Sequence, residues 1–201
     1  MTRRRLPENN ANGRTRAGRG SVRIIGGEWR GRRLHFPLVQ DLRPTGDRIR
    51  ETVFNWLAPS LPAAHCLDLF AGSGALIVEA LSRGAGSALA VDSEPRVVDA
   101  LRESAHQLGT NRLQVRLGQW DSVLAERAVQ PFDIVFLDPP FKTQLLAQRM
   151  ARLSDGSWLA PGALVYFVQH RHHGMPALPD GWQLYRDKLA GDVRYGLVRT
   201  A

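Results

Sequence analysis

The chain has 201 residues, one cysteine and a formal net charge of +8. This length fits one α/β domain with a small appendage and buries a core without covalent staples, and the lone Cys66 excludes a disulfide framework. The chain has no apolar run of the roughly eighteen residues that a membrane helix needs and no apolar leader at its N-terminus, so a soluble, cytoplasmic protein is expected.

The charge is concentrated at one end. Residues 1–50 hold 13 arginines against four acidic residues, a net of +9, and the remainder carries −1. Lys142 and Lys188 are the only lysines. Arginine matches phosphate with a bidentate fork and stacks on bases, so an Arg-rich arm is the expected electrostatic footprint of nucleic-acid binding.

Residues 1–20 lack apolar periodicity and are rich in Arg, Gly and Asn, which predicts a disordered basic tail. Residues 22–25 and 32–36 read as two short strands, with Gly26, Gly27 and Gly31 punctuating the turn. A helix follows over 46–57, with Thr45 as its N-cap and Ile49, Val53, Trp56 and Leu57 on one face. Pro59 and Pro62 close this unit. The predicted organisation is a tail (1–20), an RNA-contacting hairpin and helix (21–62) and a main domain (63–201). The exposed-looking basic and aromatic residues Arg23, Trp29, Arg30, Arg32, Arg33, Arg43, Arg48 and Arg50, together with Thr45, are the candidate RNA contacts.

From His65 the pattern alternates. Strands are predicted at 65–70, 87–92, 112–117, 132–137 and 162–168, and helices at 75–83, 94–108, 121–128 and 143–153. Two final strands, 182–189 and 193–199, flank Gly191-Asp192 as a hairpin. The fold class is therefore α/β: a Rossmann-like, mostly parallel, doubly wound sheet of seven strands with an antiparallel C-terminal hairpin, the layout of class I methyltransferases.

Asp68-Leu69-Phe70-Ala71-Gly72-Ser73-Gly74 lies between the first main-domain strand and its helix. Gly72 and Gly74 permit a tight turn and close backbone approach, and Asp92, twenty residues after Gly72, ends the next strand where ribose hydroxyls would be held. A dinucleotide fingerprint would have a third glycine where Ile77 stands. S-adenosylmethionine has a carboxylate, an amine and a ribose but no phosphate, so an acidic Asp68 suits its ammonium end and would repel a pyrophosphate. Asp68, Phe70, Gly72, Gly74 and Asp92 are the candidate donor-site residues. Gln119 and Trp120, at the third strand end, are the candidates for adenine, and Asp121 is the expected N-cap of the following helix.

The continuous apolar run Phe132–Leu137 fits a strand buried on both faces and delivers Asp138-Pro139-Pro140-Phe141 to the same sheet edge. Asp138 and the rigidly aimed Pro139 carbonyl can accept the two N–H bonds of an exocyclic amine, and Phe141 offers a flat face for a base. Asp138, Pro139, Pro140 and Phe141 are thus the candidate catalytic residues. The reaction needs no metal. His170, His172 and His173 have no Cys or second cluster to support a metal site and read as an exposed loop near the acceptor pocket.

These segments resemble the RsmD family. The resemblance rests on residues 22–34 (VRIIGGEWRGRRL), 42–57 (LRPTGDRIRETVFNWL), 67–76 (LDLFAGSGAL) and the Asp138 motif, and runs from Val22 to the C-terminus. It implies a class I methyltransferase that moves a methyl group from S-adenosylmethionine, leaving S-adenosylhomocysteine, to the N2 amine of a guanine in 16S ribosomal RNA. It also implies an assembled small subunit as substrate and a pocket near Arg43-Pro44-Thr45. A monomer is expected. Gln119-Trp120 and the basic 170–175 loop depart from the family pattern. Two alternatives stay open: an adenine-N6 methyltransferase on DNA or RNA, and a non-catalytic RNA-binding ribosome-assembly factor.

Overall fold

The computed structural model describes residues 18–39, 42, 44–140 and 146–201. Residues 1–17 of the predicted 1–20 tail, Arg43 and the Phe141 side of the acceptor motif lie outside these residues, and Arg19 and Gly20, predicted as tail, begin the first strand. A two-stranded sheet, β1 (Arg19–Arg23) and β2 (Arg33–Pro37), precedes helix α1 (Asp47–Leu57). The main domain then alternates: β3 (His65–Asp68), α2 (Ala75–Ser82), β4 (Ser87–Asp92), α3 (Pro95–Leu108), β5 (Leu113–Leu117), α4 (Trp120–Leu124), β6 (Phe132–Leu137), α5 (Leu146–Ser154) and β7 (Leu159–His170). Strands β8 (Gln183–Ala190) and β9 (Val193–Arg199) complete it.

The seven-stranded sheet has the order β5-β4-β3-β6-β7-β9-β8. Its first five strands run parallel, and β9 is antiparallel to both β7 and β8. The chain leaves β3 toward β4 on one side and returns with β6 on the other, so the switch point lies between the carboxyl ends of β3 and β6. Asp68 and Asp138 stand at those two ends. Among the described residues no helix is long and apolar enough to cross a membrane.

Strand alternation divides the core into two layers. Ile134 and Phe136 of β6 face a layer shared with α1, α2, α3 and the N-terminal hairpin, while Val135 and Leu137 face a layer shared with α4 and α5. Burial on both faces accounts for the unbroken apolar run of β6. Val22, Ile24, Trp29, Leu34 and Phe36 of the hairpin share one core with α2 and α3.

Several local expectations need correction. The first strand spans Arg19–Arg23 rather than 22–25: Gly20 pairs with Phe36, and the absence of a Cβ there makes room for the Phe36 ring. Gly46, not Thr45, caps α1, because the Thr45 hydroxyl is committed elsewhere. Helix α4 stops at Leu124 instead of 128, where its buried face ends and the chain moves out to a fully exposed Val129. Its N-cap is Gln119, and Asp121 sits inside the first turn. Strand β7 is longer than 162–168 because its start pairs with Phe132 and its end with Val193.

Candidate functional site

The carboxyl edge at the switch point opens into a cavity of about 470 Å³, within the range of small-molecule sites. Residues 68–73, Asp92, Gln119, Trp120, Asp138, Pro139 and Pro140 line it, with Leu42, Pro44 and Thr45 entering from the N-terminal unit. The structure therefore brings the donor candidates, apart from Gly74, and the described part of the acceptor motif to one chamber.

The glycine loop is shaped as its residues require. Gly72 and Gly74 have φ of 49° and 75°, left-handed conformations that a side chain disfavours, and Gly74 caps α2. A Cβ on Gly74 would stand 2.6 Å from Leu101 Cδ2. Asp92 ties the loop to β4: its Oδ2 accepts from the Gly72 N–H at 2.9 Å and its Oδ1 from the Glu94 N–H at 2.9 Å. Each oxygen retains a second lone-pair direction for a hydroxyl donor.

Asp68 is buried, and its Oδ1 accepts from the Phe70 N–H at 3.1 Å. Burial raises its carboxyl well above the ordinary range, the Phe70 N–H acts in the opposite sense, and the charges of Asp138 and Asp92 raise it further. Three acidic side chains line one chamber, and a cationic occupant would favour their ionised forms, which makes the fit to a molecule bearing a sulfonium and an ammonium electrostatic.

Asp138 has its own partner. The Thr45 hydroxyl donates to Asp138 Oδ2 at 2.5 Å, joining residues 93 positions apart. Burial pushes the Asp138 carboxyl up to about 6, and the Thr45 hydrogen bond opposes that rise. Pro139 is buried behind it, while Pro140 is exposed.

On the third side of the chamber, the Phe70 and Trp120 rings lie 6.5 Å apart and tilted by 41°. The Arg149 guanidinium covers both, 5.0 Å from the Phe70 centroid and 5.3 Å from that of Trp120. Sequence reasoning misses Arg149, a charge at a buried position of an otherwise amphipathic α5. It also misses Glu79. That residue is fully buried in α2 and accepts from the Ile25 and Gly26 N–H groups at 2.8 Å each. Its one visible signal is a single acid inside the apolar stretch Ala75–Leu81.

The RNA candidates separate by burial. Arg23, Arg30, Arg32, Arg33 and Arg48 are exposed. Arg50 and Trp29 are corrections: Arg50 is 1% exposed and Trp29 5% exposed. The Arg50 guanidinium binds Glu79, Asp47 and the carbonyls of Thr45 and Arg23. Trp29 packs into the hairpin core, with its backbone N–H on Ser82 Oγ and Arg112 over its ring. Both serve as internal braces. Arg43 and Phe141 lie outside the described residues. His170 stacks on His172 at 4.8 Å, and among the described residues no group of His, Cys, Asp or Glu is arranged to hold a metal.

Comparison with known proteins fits this picture. The family model described as Conserved hypothetical protein 95 matches residues 22–199. Over 183 residues the chain is 46% identical to Ribosomal RNA small subunit methyltransferase D of Escherichia coli (strain K12), covering 91% of this chain and 92% of that one. Over 185 residues it is 40% identical to the protein of the same name from Haemophilus influenzae, covering 90% and 95%. The solved structure of Escherichia coli yhhF superposes with a TM-score of 0.83 at 43% identity, covering 90% of this chain and 98% of that one.

Proposed function

The chain belongs to the RsmD family of ribosomal RNA small subunit methyltransferases, and from that premise we propose that it methylates the exocyclic N2 amine of a guanine in 16S ribosomal RNA within the small subunit. One observation carries the reading: Asp138, pinned by Thr45, shares a chamber with the glycine loop and with Asp68 and Asp92.

S-adenosylmethionine, when bound, supplies an electrophilic sulfonium methyl. Asp68 and Asp92 would hold its ammonium and ribose ends, and the Phe70–Trp120 wall its adenine. The rest is positioning. A guanine amine presents two N–H bonds and a lone pair delocalised into the ring. Asp138 accepts one N–H and the Pro139 carbonyl the other, turning the lone pair toward the donor. After transfer the nitrogen must lose a proton, and Asp138 Oδ1 receives it. A carboxyl near 6 is still ionised at neutral pH yet is a better base than an ordinary aspartate, which suits this task. The exposed arginines of the hairpin and α1 supply phosphate contacts, and a target base in a duplex would have to be flipped out to enter the chamber.

The deciding experiment is transfer of labelled methyl from S-adenosylmethionine to small ribosomal subunits that lack the modification, followed by nucleoside analysis. N2-methylguanosine in 16S RNA is the expected product. Label on adenine, or on no nucleoside at all, would overturn the assignment.

A further inference from the structure

A chain of hydrogen bonds runs from the N-terminal hairpin to the reacting carboxylate. Glu79 stands at its base, accepting from the Ile25 and Gly26 N–H groups of the hairpin and from Arg83 Nε at 2.7 Å. Arg50 sits on Glu79 Oε2 at 3.3 Å and also donates to backbone: Nη2 to the Arg23 carbonyl at 2.9 Å and Nε to the Thr45 carbonyl at 3.1 Å. The last link is Thr45 Oγ1 on Asp138 Oδ2.

Each link is a hydrogen bond that fixes direction as well as distance. A carboxylate at a strand end can rotate about its χ angles, and only some rotations aim an oxygen at an incoming amine. The Thr45 hydroxyl removes that freedom at one oxygen. Arg50 in turn fixes the peptide of Thr45, and Arg50 cannot move without breaking a fully buried ion pair with Glu79.

We infer that Thr45 is a positioning residue for Asp138, held in place through Arg50 by Glu79, so that the hairpin unit completes the catalytic geometry as well as reaching for RNA. This rests on the reading of Asp138 as the amine acceptor. Thr45 acts in two ways. It orients the carboxylate, and its donated hydrogen bond favours the ionised form, which is the form that can accept from an amine. Among the described residues, Asp68 on β3 and Tyr166 on β7 are the other titratable groups whose charge acts with that of Asp138, and no hydrogen bond joins either to it. The Thr45 hydrogen bond partly offsets the effect of burial on Asp138.

The test compares Thr45→Val, which keeps the shape and loses the donor, with Thr45→Ser, which keeps the donor. The Asp138 carboxyl is titrated by carbon-13 NMR in the full-length protein without donor, and methyl transfer is followed against pH. Thr45→Val is expected to raise the Asp138 midpoint by about one pH unit. It should also lower kcat by about a hundredfold, as loss of orientation does. The acid limb of the rate profile should move up with the midpoint, and Thr45→Ser should restore both. An unchanged midpoint in Thr45→Val, or a serine variant that behaves like valine, would overturn the inference. The NMR midpoint requires no turnover, so a wild-type protein without methyl transfer would remove the enzymatic reading and still leave the Thr45–Asp138 contact decided.

Discussion

Arg50 and Glu79 form an ion pair at 3.3 Å in which neither side chain is more than 1% exposed. Arg83, the C-cap of α2, adds a second cation to the same carboxylate at 2.7 Å. Desolvating these charges is costly, and the cost is offset only because nearly every donor and acceptor around them is used. The site is a junction that joins hairpin, α1 and α2.

Removing one member should therefore cost more than an exposed pair would. Glu79→Ala is expected to lower stability by about 3–5 kcal/mol, since it strands Arg50 and two hairpin N–H groups. Glu94→Ala, which breaks an exposed pair with Arg96, should cost far less, and what it does cost reflects its place as the N-cap of α3. Urea unfolding of the two variants side by side measures the contrast.

The raised carboxyl of Asp138 makes stability depend on pH. Its folded value of about 6 lies above the ordinary 3.8, so the unfolded chain ionises it more readily. The folded state carries the full penalty above about pH 6 and sheds it as pH falls toward 4. Asp138→Asn never carries it. The variant should exceed the wild type in stability by about 2 kcal/mol at pH 8, a figure reduced for the partial exposure of this side chain, and the gap should close near pH 4. Methyl transfer should be lost throughout. Melting curves of both proteins from pH 4 to 8 provide the check.

Two hairpin glycines should respond very differently to a methyl group. Both have positive φ, +77° at Gly27 and +86° at Gly31. A Cβ on Gly31 meets nothing within 4 Å, whereas on Gly27 it would fall 1.8 Å from the Ser82 carbonyl oxygen. Gly31→Ala should cost about 1 kcal/mol of backbone strain, and Gly27→Ala about 4 kcal/mol because the hairpin must lift off α2. Denaturant midpoints read both.

The aromatic wall should set donor affinity. Trp120→Ala removes one side of the Phe70–Trp120 pair and takes away one of the two rings beneath Arg149. Affinity for S-adenosylmethionine is expected to fall about tenfold, with Trp120→Phe recovering most of it. Calorimetry with the full-length variants measures this directly.

Exposed and buried arginines should separate in RNA binding. Replacing Arg30, Arg32 and Arg33 by Ala should reduce the slope of log affinity against log salt by about 0.7 for each phosphate that is no longer neutralised. Arg50→Met should leave that slope unchanged while reducing stability. Binding titrations at several salt concentrations distinguish the two effects.

Much of this architecture was legible in the sequence because local chemistry dictated it. Phe132–Leu137 has the apolar continuity of a central strand, and Gly72 and Gly74 occupy backbone conformations that other residues avoid. Asp92 ends β4 and Asp138 directly follows β6, as the pattern implies. What could not be read were partnerships across long separations. Thr45 has the composition of a helix cap, and only the arrival of Asp138 from 93 residues away redirects its hydroxyl. Arg50 sits among charged neighbours on α1 and resembles a solvated side chain, yet Glu79 and two carbonyls draw it inside. Periodicity treats a charge as outward-facing and has no means of seeing its partner.

The strand order also bears on how the chain is made. β9 lies between β7 and β8 but is translated after both. Until it emerges, β7 presents a bare hydrogen-bonding edge beside the strand that carries Asp138, and β8 has no partner in the sheet. A ribosome stalled before residue 193 would hold a nascent chain with the chamber's residues already synthesised and an adhesive edge exposed. Pairing of β9, rather than synthesis of the Asp138 motif, is the step that covers the β7 edge and gives β8 its place in the sheet.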